Sequence, residues 1–401
     1  MAAAFRAMDP SAALSGLRCT DCDRRLDATG DARACPDCGG PLVATYEYDA
    51  VSPARTAVGG DFLAESGLSA LLGVPESARP ELGQGETPLI DAPALAEELG
   101  VGHVACKDEG QNPTGGLVDR ELALAVGAAA AAGATTVALP TMGNAGQAAA
   151  AAAARTGLDS HSFVPSRTPF VNKAMINVHG GDMTVVEGRY RDAVAAYREA
   201  AADESWYPVG PFETPHRQEG VKPFAYELAA ARDWSSPDWV VVPTGQVTPL
   251  VGIDRGFRDL EALGLVESRP RLVAAQAAGC APLASAVEAG ADDPAAVEHP
   301  DTVVGPLEIP DPAGGRIALE ALAESDGTAI AVEDPEILAG AQTLAEAGLP
   351  ASVTAGAGLA AARVLAEQNA FAADEAVVLV NPVAGSKEAD LLRSHLMSQG
   401  R

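Results

Sequence analysis

Aromatic side chains make up only 4% of this 401-residue chain, and there are only four lysines: Lys107, Lys173, Lys222 and Lys387. With 27 basic residues against 55 acidic ones, the net charge is −28. That excludes a basic face for phosphate backbones, so nucleic acid is not an expected partner. Long apolar runs are also missing. The longest, Leu122 to Ala134, falls short of the roughly 20 residues that cross a bilayer. The Met1–Ala13 segment holds Asp9 and Pro10 and reads as neither a cleavable leader nor a span. A soluble, cytoplasmic protein with no membrane contact is the expectation. No Gly-x-Ser-x-Gly, phosphate-loop or dinucleotide fingerprint occurs, and the six histidines have no metal-ligand spacing.

Apolar residues account for 47%, much of it alanine, as suits packed helices in an α/β protein. The acids are scattered without an acidic tail. Dense carboxylates of this kind keep a surface hydrated in concentrated salt, where screening removes self-repulsion; the other reading is a surface for a basic partner.

Cysteine is sparse and unevenly placed. Cys106 and Cys280 stand alone among apolar neighbours, as inert buried thiols do. The other four form Cys19-Thr-Asp-Cys22 and, twelve residues on, Cys35-Pro-Asp-Cys38-Gly-Gly. Two such knuckles aim four thiolates at one point, a tetrahedral sulfur cage suited to Zn²⁺; two disulfides or a redox pair are the competing readings. A cage with all four positions filled by protein is structural, not catalytic.

After these knuckles the chain alternates. Short apolar strands are expected at 103–107, 136–139, 161–164, 183–186, 239–242, 271–276, 329–332 and 376–380. Alanine- and leucine-rich helices are expected at 117–132, 145–156, 190–202, 223–232, 250–263 and 358–367. The repetition predicts parallel sheets covered on both faces. Gly305–Gly315, rich in proline and glycine, reads as an exposed loop.

Several segments carry a resemblance to a known family. Lys107-Asp-Glu-Gly-Gln-Asn-Pro-Thr-Gly-Gly-Leu-Val-Asp-Arg120, Gly83-Gln-Gly-Glu-Thr-Pro-Leu89, Thr141-Met-Gly-Asn-Ala145, the stretch 214–229 and Ala274-Ala-Gln-Ala-Ala-Gly-Cys-Ala-Pro-Leu283 together resemble fold-type II pyridoxal phosphate enzymes, threonine synthase above all. Short threonine synthases also carry paired Cys-x-x-Cys knuckles. The resemblance implies a zinc ribbon at 1–45, a linker at 46–84, a large α/β domain from 85–125 plus 215–401, and a smaller inserted α/β domain at 126–214. It places a cleft where the loops 112–119, 141–145 and 244–249 converge.

Three parts of the implied cofactor site depart from the family pattern. Val118 stands where the family has its Schiff-base lysine, and valine supplies no amine. Of the four lysines, Lys107, at a strand end, is the nearest to a replacement. The glycine-rich phosphate loop is replaced by Thr244-Gly245-Gln246-Val247-Thr248-Pro249. There Val247 and Thr248 resist positive φ and Pro249 has no amide hydrogen, leaving Thr244, Gly245, Gln246 and Thr248 as weaker anion contacts. Finally, Pro382 or Asn381 occupies the position of the threonine that meets the pyridine nitrogen. Asn144 matches the family's cofactor-touching asparagine, although it also reads as a helix N-cap.

The expectation is therefore a threonine synthase-like protein with structural zinc and weakened pyridoxal phosphate binding. It is read as a pseudoenzyme that binds a small ligand or a protein partner, with a homo-oligomer as one open assembly. The alternative is a working enzyme with a rebuilt site.

Overall fold

A computed structural model describes residues 13–27, 32–349 and 352–400. Residues 1–12, most of the segment read as neither leader nor span, lie outside the described residues. The strands, in chain order, are β1 Leu14–Cys19, β2 Arg25–Asp27, β3 Leu42–Tyr46, β4 Leu89–Asp91, β5 His103–Asp108, β6 Thr136–Pro140, β7 Asp159–Pro165, β8 Asp182–Val186, β9 Tyr207–Pro208, β10 Trp239–Pro243, β11 Arg271–Ala277, β12 Thr328–Val332 and β13 Ala376–Asn381.

They form three sheets. An antiparallel ribbon has the order β2-β1-β3. A six-stranded sheet runs β12-β11-β10-β13-β5-β4, parallel throughout except for β4 on β5. The four-stranded sheet β8-β7-β6-β9 is all parallel. Each of the eight expected strands lies within an observed one, with one or two residues added at some ends. β4 and β9 were not anticipated; at three and two residues they are too short to show a period.

In β10 the period-two geometry explains the continuous apolar run. Val240 and Val242 join the core under helices His216–Ala230 and Thr248–Ala262, while Trp239 and Val241 join the core under Val353–Glu367. Both faces of the sheet are covered, so no polar residue alternates. Each wholly buried valine contributes about 1.5–3 kcal/mol. The small sheet is covered likewise. Helices Val118–Ala131 and Asn144–Thr156 pack on Val137 and Leu139, and Tyr190–Ala201 packs on Ala138 and Phe163.

Two expectations need correction. The helix expected to open at Pro223 begins at His216, and the proline lies inside it. Arg217 through Ala230 are all buried, and that packing outweighs an interior proline penalty of about 3 kcal/mol. The 305–315 segment is not an exposed loop: Leu307, Glu308 and Ile309 are buried at 1%, 0% and 2% exposure. Proline and glycine fix how this segment bends, whereas its leucine and isoleucine decide that it packs. No helix among the described residues is long and apolar enough to cross a membrane.

Candidate binding cleft and cysteine cluster

The four ribbon cysteines converge. Their sulfurs lie within 4.8 Å of one another, with Cys19–Cys38 and Cys22–Cys38 at 3.5 Å and Cys22–Cys35 at 3.6 Å. No disulfide joins them. Backbone amides turn toward the sulfurs, from Asp21 to Cys19 and from Gly40 to Cys38, each at 3.4 Å. The amides of Cys38 and then Asp37 help bring the Cys35 thiol down to about 7 against the effect of burial, whereas against the Gly40 amide the neighbouring sulfurs push Cys38 up to about 12. The ribbon is seated on the body through Leu42 O, which accepts from Gln218 Nε2 (3.1 Å), Ala44 O, which accepts from Arg255 (2.6 Å), and Tyr46 Oη, which donates to Glu219 (2.7 Å).

The second site is a cleft with a cavity volume of about 130 Å³, where the loops 116–118, 141–145 and 243–249 meet the 306–309 segment. Sequence reasoning brought these three loops together; it missed the cover. The loop before Val118 is built by its own polar residues. Asp119 accepts from the Thr114 amide at 2.9 Å and the Thr114 hydroxyl at 2.6 Å. Asn112 accepts from the Gly85 amide at 2.9 Å and donates to Glu109 at 2.7 Å. Behind it Arg120 pairs with Glu109 and Glu227, both at 2.6 Å. Although burial raises the Glu227 carboxyl, Arg120 and then Lys107 hold it down at about 2.

Val118 opens its helix and lines the cleft. No lysine lines it among the described residues. Lys107, the nearest replacement by sequence, is 2% exposed and bound to Glu227 (2.9 Å) and Thr87 O (2.5 Å). The amine that does come close is Lys387, one of the three lysines that sequence reasoning ranked behind Lys107. Its Nζ is 3.2 Å from Asn144 Oδ1, and burial lowers its pKa to about 8. Only its position after β13 links it to the cleft, and no local pattern signals that.

Asn144 lines the cleft, and its reading as an N-cap is corrected. Gly143 is the cap residue, and the opening amides of Gly143 and Gly146 donate to Thr141 Oγ1 at 2.9 and 3.3 Å. With the cap supplied by threonine, Asn144 Oδ1 accepts from Asn172 at 3.2 Å and from Lys387.

The loop at 244–249 is not an amide nest. None of its residues has positive φ. The Thr244 hydroxyl donates to Val242 O at 2.7 Å, and its amide belongs to the sheet. At Gly245 a Cβ would lie 2.0 Å from Pro306 O, so glycine is required here by a carbonyl pressed on the chain. Gln246 lines the cleft and donates to Tyr190 Oη at 2.9 Å. Thr248 is fully buried, and its hydroxyl has no partner. At the third departure, Asn381 is wholly buried. It accepts from the Ser352 hydroxyl at 2.8 Å and donates to Asp108 at 2.7 Å, which leaves Pro382 to line the cleft.

Residues 80–382 match the family model described as pyridoxal-phosphate dependent enzyme. Threonine synthase of Methanosarcina acetivorans is 31% identical, covering 91% of this chain and 90% of its own length. That of Methanocaldococcus jannaschii is 30% identical, with 93% of each covered. Among solved structures, maize serine racemase aligns at TM-score 0.68 with 16% identity, over 87% of this chain and all of its own. A Rhizomucor miehei L-serine ammonia-lyase aligns at 0.67 with 19% identity, over 78% and 98%. At such identities these two speak for the fold alone.

Proposed function

We infer the function from one premise: this chain belongs to the pyridoxal-phosphate dependent enzyme family, as a threonine synthase-like member. Our reading is that it keeps the family's cleft as a binding site for a small ligand and has given up the Schiff-base chemistry. The observation that carries it is Val118 at the cleft, with no lysine among the lining residues. Two further observations support it. The 244–249 loop has no left-handed residue with which to turn consecutive amides toward one anion, and Asn381 spends both ends of its amide on Ser352 and Asp108. These residues do not fit pyridoxal phosphate. The test is an absorption spectrum of the full chain with pyridoxal phosphate, followed by borohydride: no visible band and no lysine adduct are expected.

A second reading, a working lyase with a rebuilt site, draws on one observation. The Lys387 amine lies beside Asn144 without a carboxylate paired to it, and its lowered pKa leaves part of it uncharged near neutrality. A borohydride-trapped adduct on Lys387 would favour it.

The ribbon is the opposite case. Four thiolates at tetrahedral spacing fit Zn²⁺, and we assign them to one structural zinc. Metal analysis giving about one zinc per chain tests this.

A further inference from the structure

The 244–249 end of the cleft has a ligand preference of its own. Gln246 has a side-chain amide with only one partner: its Nε2 donates to Tyr190 Oη, while Oε1 is buried without any. Whichever way round the amide lies, one of its polar atoms is unpaired. The Thr248 hydroxyl in the same turn is also unpaired, but it lies behind the residues that line the cleft. A buried polar atom left unpaired is costly, so the one on Gln246, which lines the cleft, points to a group that completes it when bound.

The charges around this end say what that group is not. Arg217 is the only cationic residue lining the cleft among those described. It is itself buried against Glu121, at 2.8 Å from its Nε, and donates to Val209 O as well. Arg189, which precedes Tyr190, and Arg167 both turn to Glu308, at 2.9 and 2.5 Å. Glu308 lies between the lining residues Leu307 and Ile309, so the covering segment brings its own buried carboxylate to neutralise the nearby guanidinium groups. Pro306 O meanwhile presses on Gly245. A dianion entering here would find no free cation: beside the opening amides of helix Thr248–Ala262 it would meet a carbonyl oxygen, proline rings and arginines already paired.

We propose that this end of the cleft binds an uncharged group, a hydroxyl or amide on a small ring-sized molecule, read by Gln246, and that it rejects phosphate. The inference rests on the reading of the cleft as a small-ligand site. It goes further in naming the chemistry: a neutral hydrogen-bonding molecule with an apolar body to match Pro211, Pro249 and Leu307.

The test uses pyridoxine and pyridoxine 5′-phosphate, which differ only by the phosphate and carry no aldehyde, with nicotinamide as a second neutral probe and inorganic phosphate alone. Calorimetry on the full chain should show a neutral probe binding at least about tenfold more tightly than pyridoxine 5′-phosphate, and no binding of inorganic phosphate. Gln246→Ala should weaken the neutral probe roughly three- to tenfold, the loss of one hydrogen bond. If that variant does not fold, Tyr190→Phe, which releases the Gln246 amide, should still change neutral-probe affinity. Tighter binding of the phosphorylated probe, binding of inorganic phosphate, or no binding of either neutral probe overturns the proposal. The borohydride experiment fails separately: a trapped lysine adduct removes the underlying reading, whereas phosphate preference without an adduct removes only this inference.

Discussion

The ribbon and the cleft are two binding sites announced by sequence motifs in one chain, and they differ in what the motif has kept. In the ribbon, the residues that define the motif are the four cysteines themselves, and their sulfurs sit within 4.8 Å. In the cleft, the motif around Val118 survives almost whole, but its residues serve the loop. Asp119 staples Thr114, Asn112 holds Gly85, and Arg120 pairs with Glu109 and Glu227. A motif built mostly of scaffold can persist whether or not its chemistry does, because each of those polar residues is buried and costly to leave unpaired. A motif built only of ligands has no such reserve.

The largest effect should come from breaking the intact site. Cys35→Ser, or a strong chelator, should take zinc from about one equivalent per chain to near zero. It should also unfold the ribbon, since structural zinc binding in small domains is worth about 10–16 kcal/mol of apparent free energy. Hydrogen exchange would show it as lost protection in β1 and β3, with Gln218 and Arg255 losing their acceptors on the ribbon. Normal protection without zinc would mean that contacts to the body, not the metal, hold the ribbon.

Next in size is the scaffold behind the cleft. Glu227→Gln leaves Lys107 and Arg120 short of a buried partner and should cost about 3–5 kcal/mol in thermal or urea unfolding. Because Glu227 is held at about 2 in the folded chain, its contribution is present above an unfolded value near ~4.3 and is lost as pH falls toward 2. The wild type should lose stability over that acid range more steeply than the variant. Equal acid profiles would show that the network does not carry the scaffold.

Much of this was legible. The eight parallel strands of five or more residues were, most clearly runs such as Trp239–Pro243 that bury both faces. Cys19, Cys22, Cys35 and Cys38 were, because spacing alone defines a thiolate cage. The cover over the cleft was not, since proline and glycine at 305–315 report local turns and not what Leu307 and Ile309 pack against. Lys387 was hidden for another reason. Its 3.2 Å approach to Asn144 joins residues 243 positions apart, and its lowered pKa comes from burial, which no local pattern records.

A smaller effect should follow from restoring the missing amine. Val118→Lys should give no threonine synthase-type activity, because the 244–249 loop would still offer no nest and Pro306 O would still press on Gly245. The lysine, half-buried and unpaired, should lower stability on the order of 1–2 kcal/mol. Activity in this single variant would show that the cleft differs from a working site by the lysine alone.

The smallest effect concerns the surface, and it should have opposite signs in the two regions. Between Glu288 and Glu298 the chain exposes Glu288, Asp292, Asp293 and Glu298 with no base among them. Raising salt from 0.1 to 1 M shortens the screening length from about 10 to about 3 Å and relieves that repulsion, so the melting temperature of the body should rise by a few degrees if the acidic surface is an adaptation to salt. The ribbon instead carries exposed pairs of opposite sign, Arg18–Asp23 at 2.7 Å and Arg316–Asp21 at 3.2 Å, the latter binding it to the body. Pairs of this kind are worth about 0–1 kcal/mol each and weaken with screening. Exchange protection should therefore rise in β10 and β13 and stay level or fall in β1 and β3 as salt increases. A melting temperature that is flat or falling would leave the acidic surface to a basic partner, and a ribbon that gains as much as the body would show that the metal, not these ion pairs, sets its response.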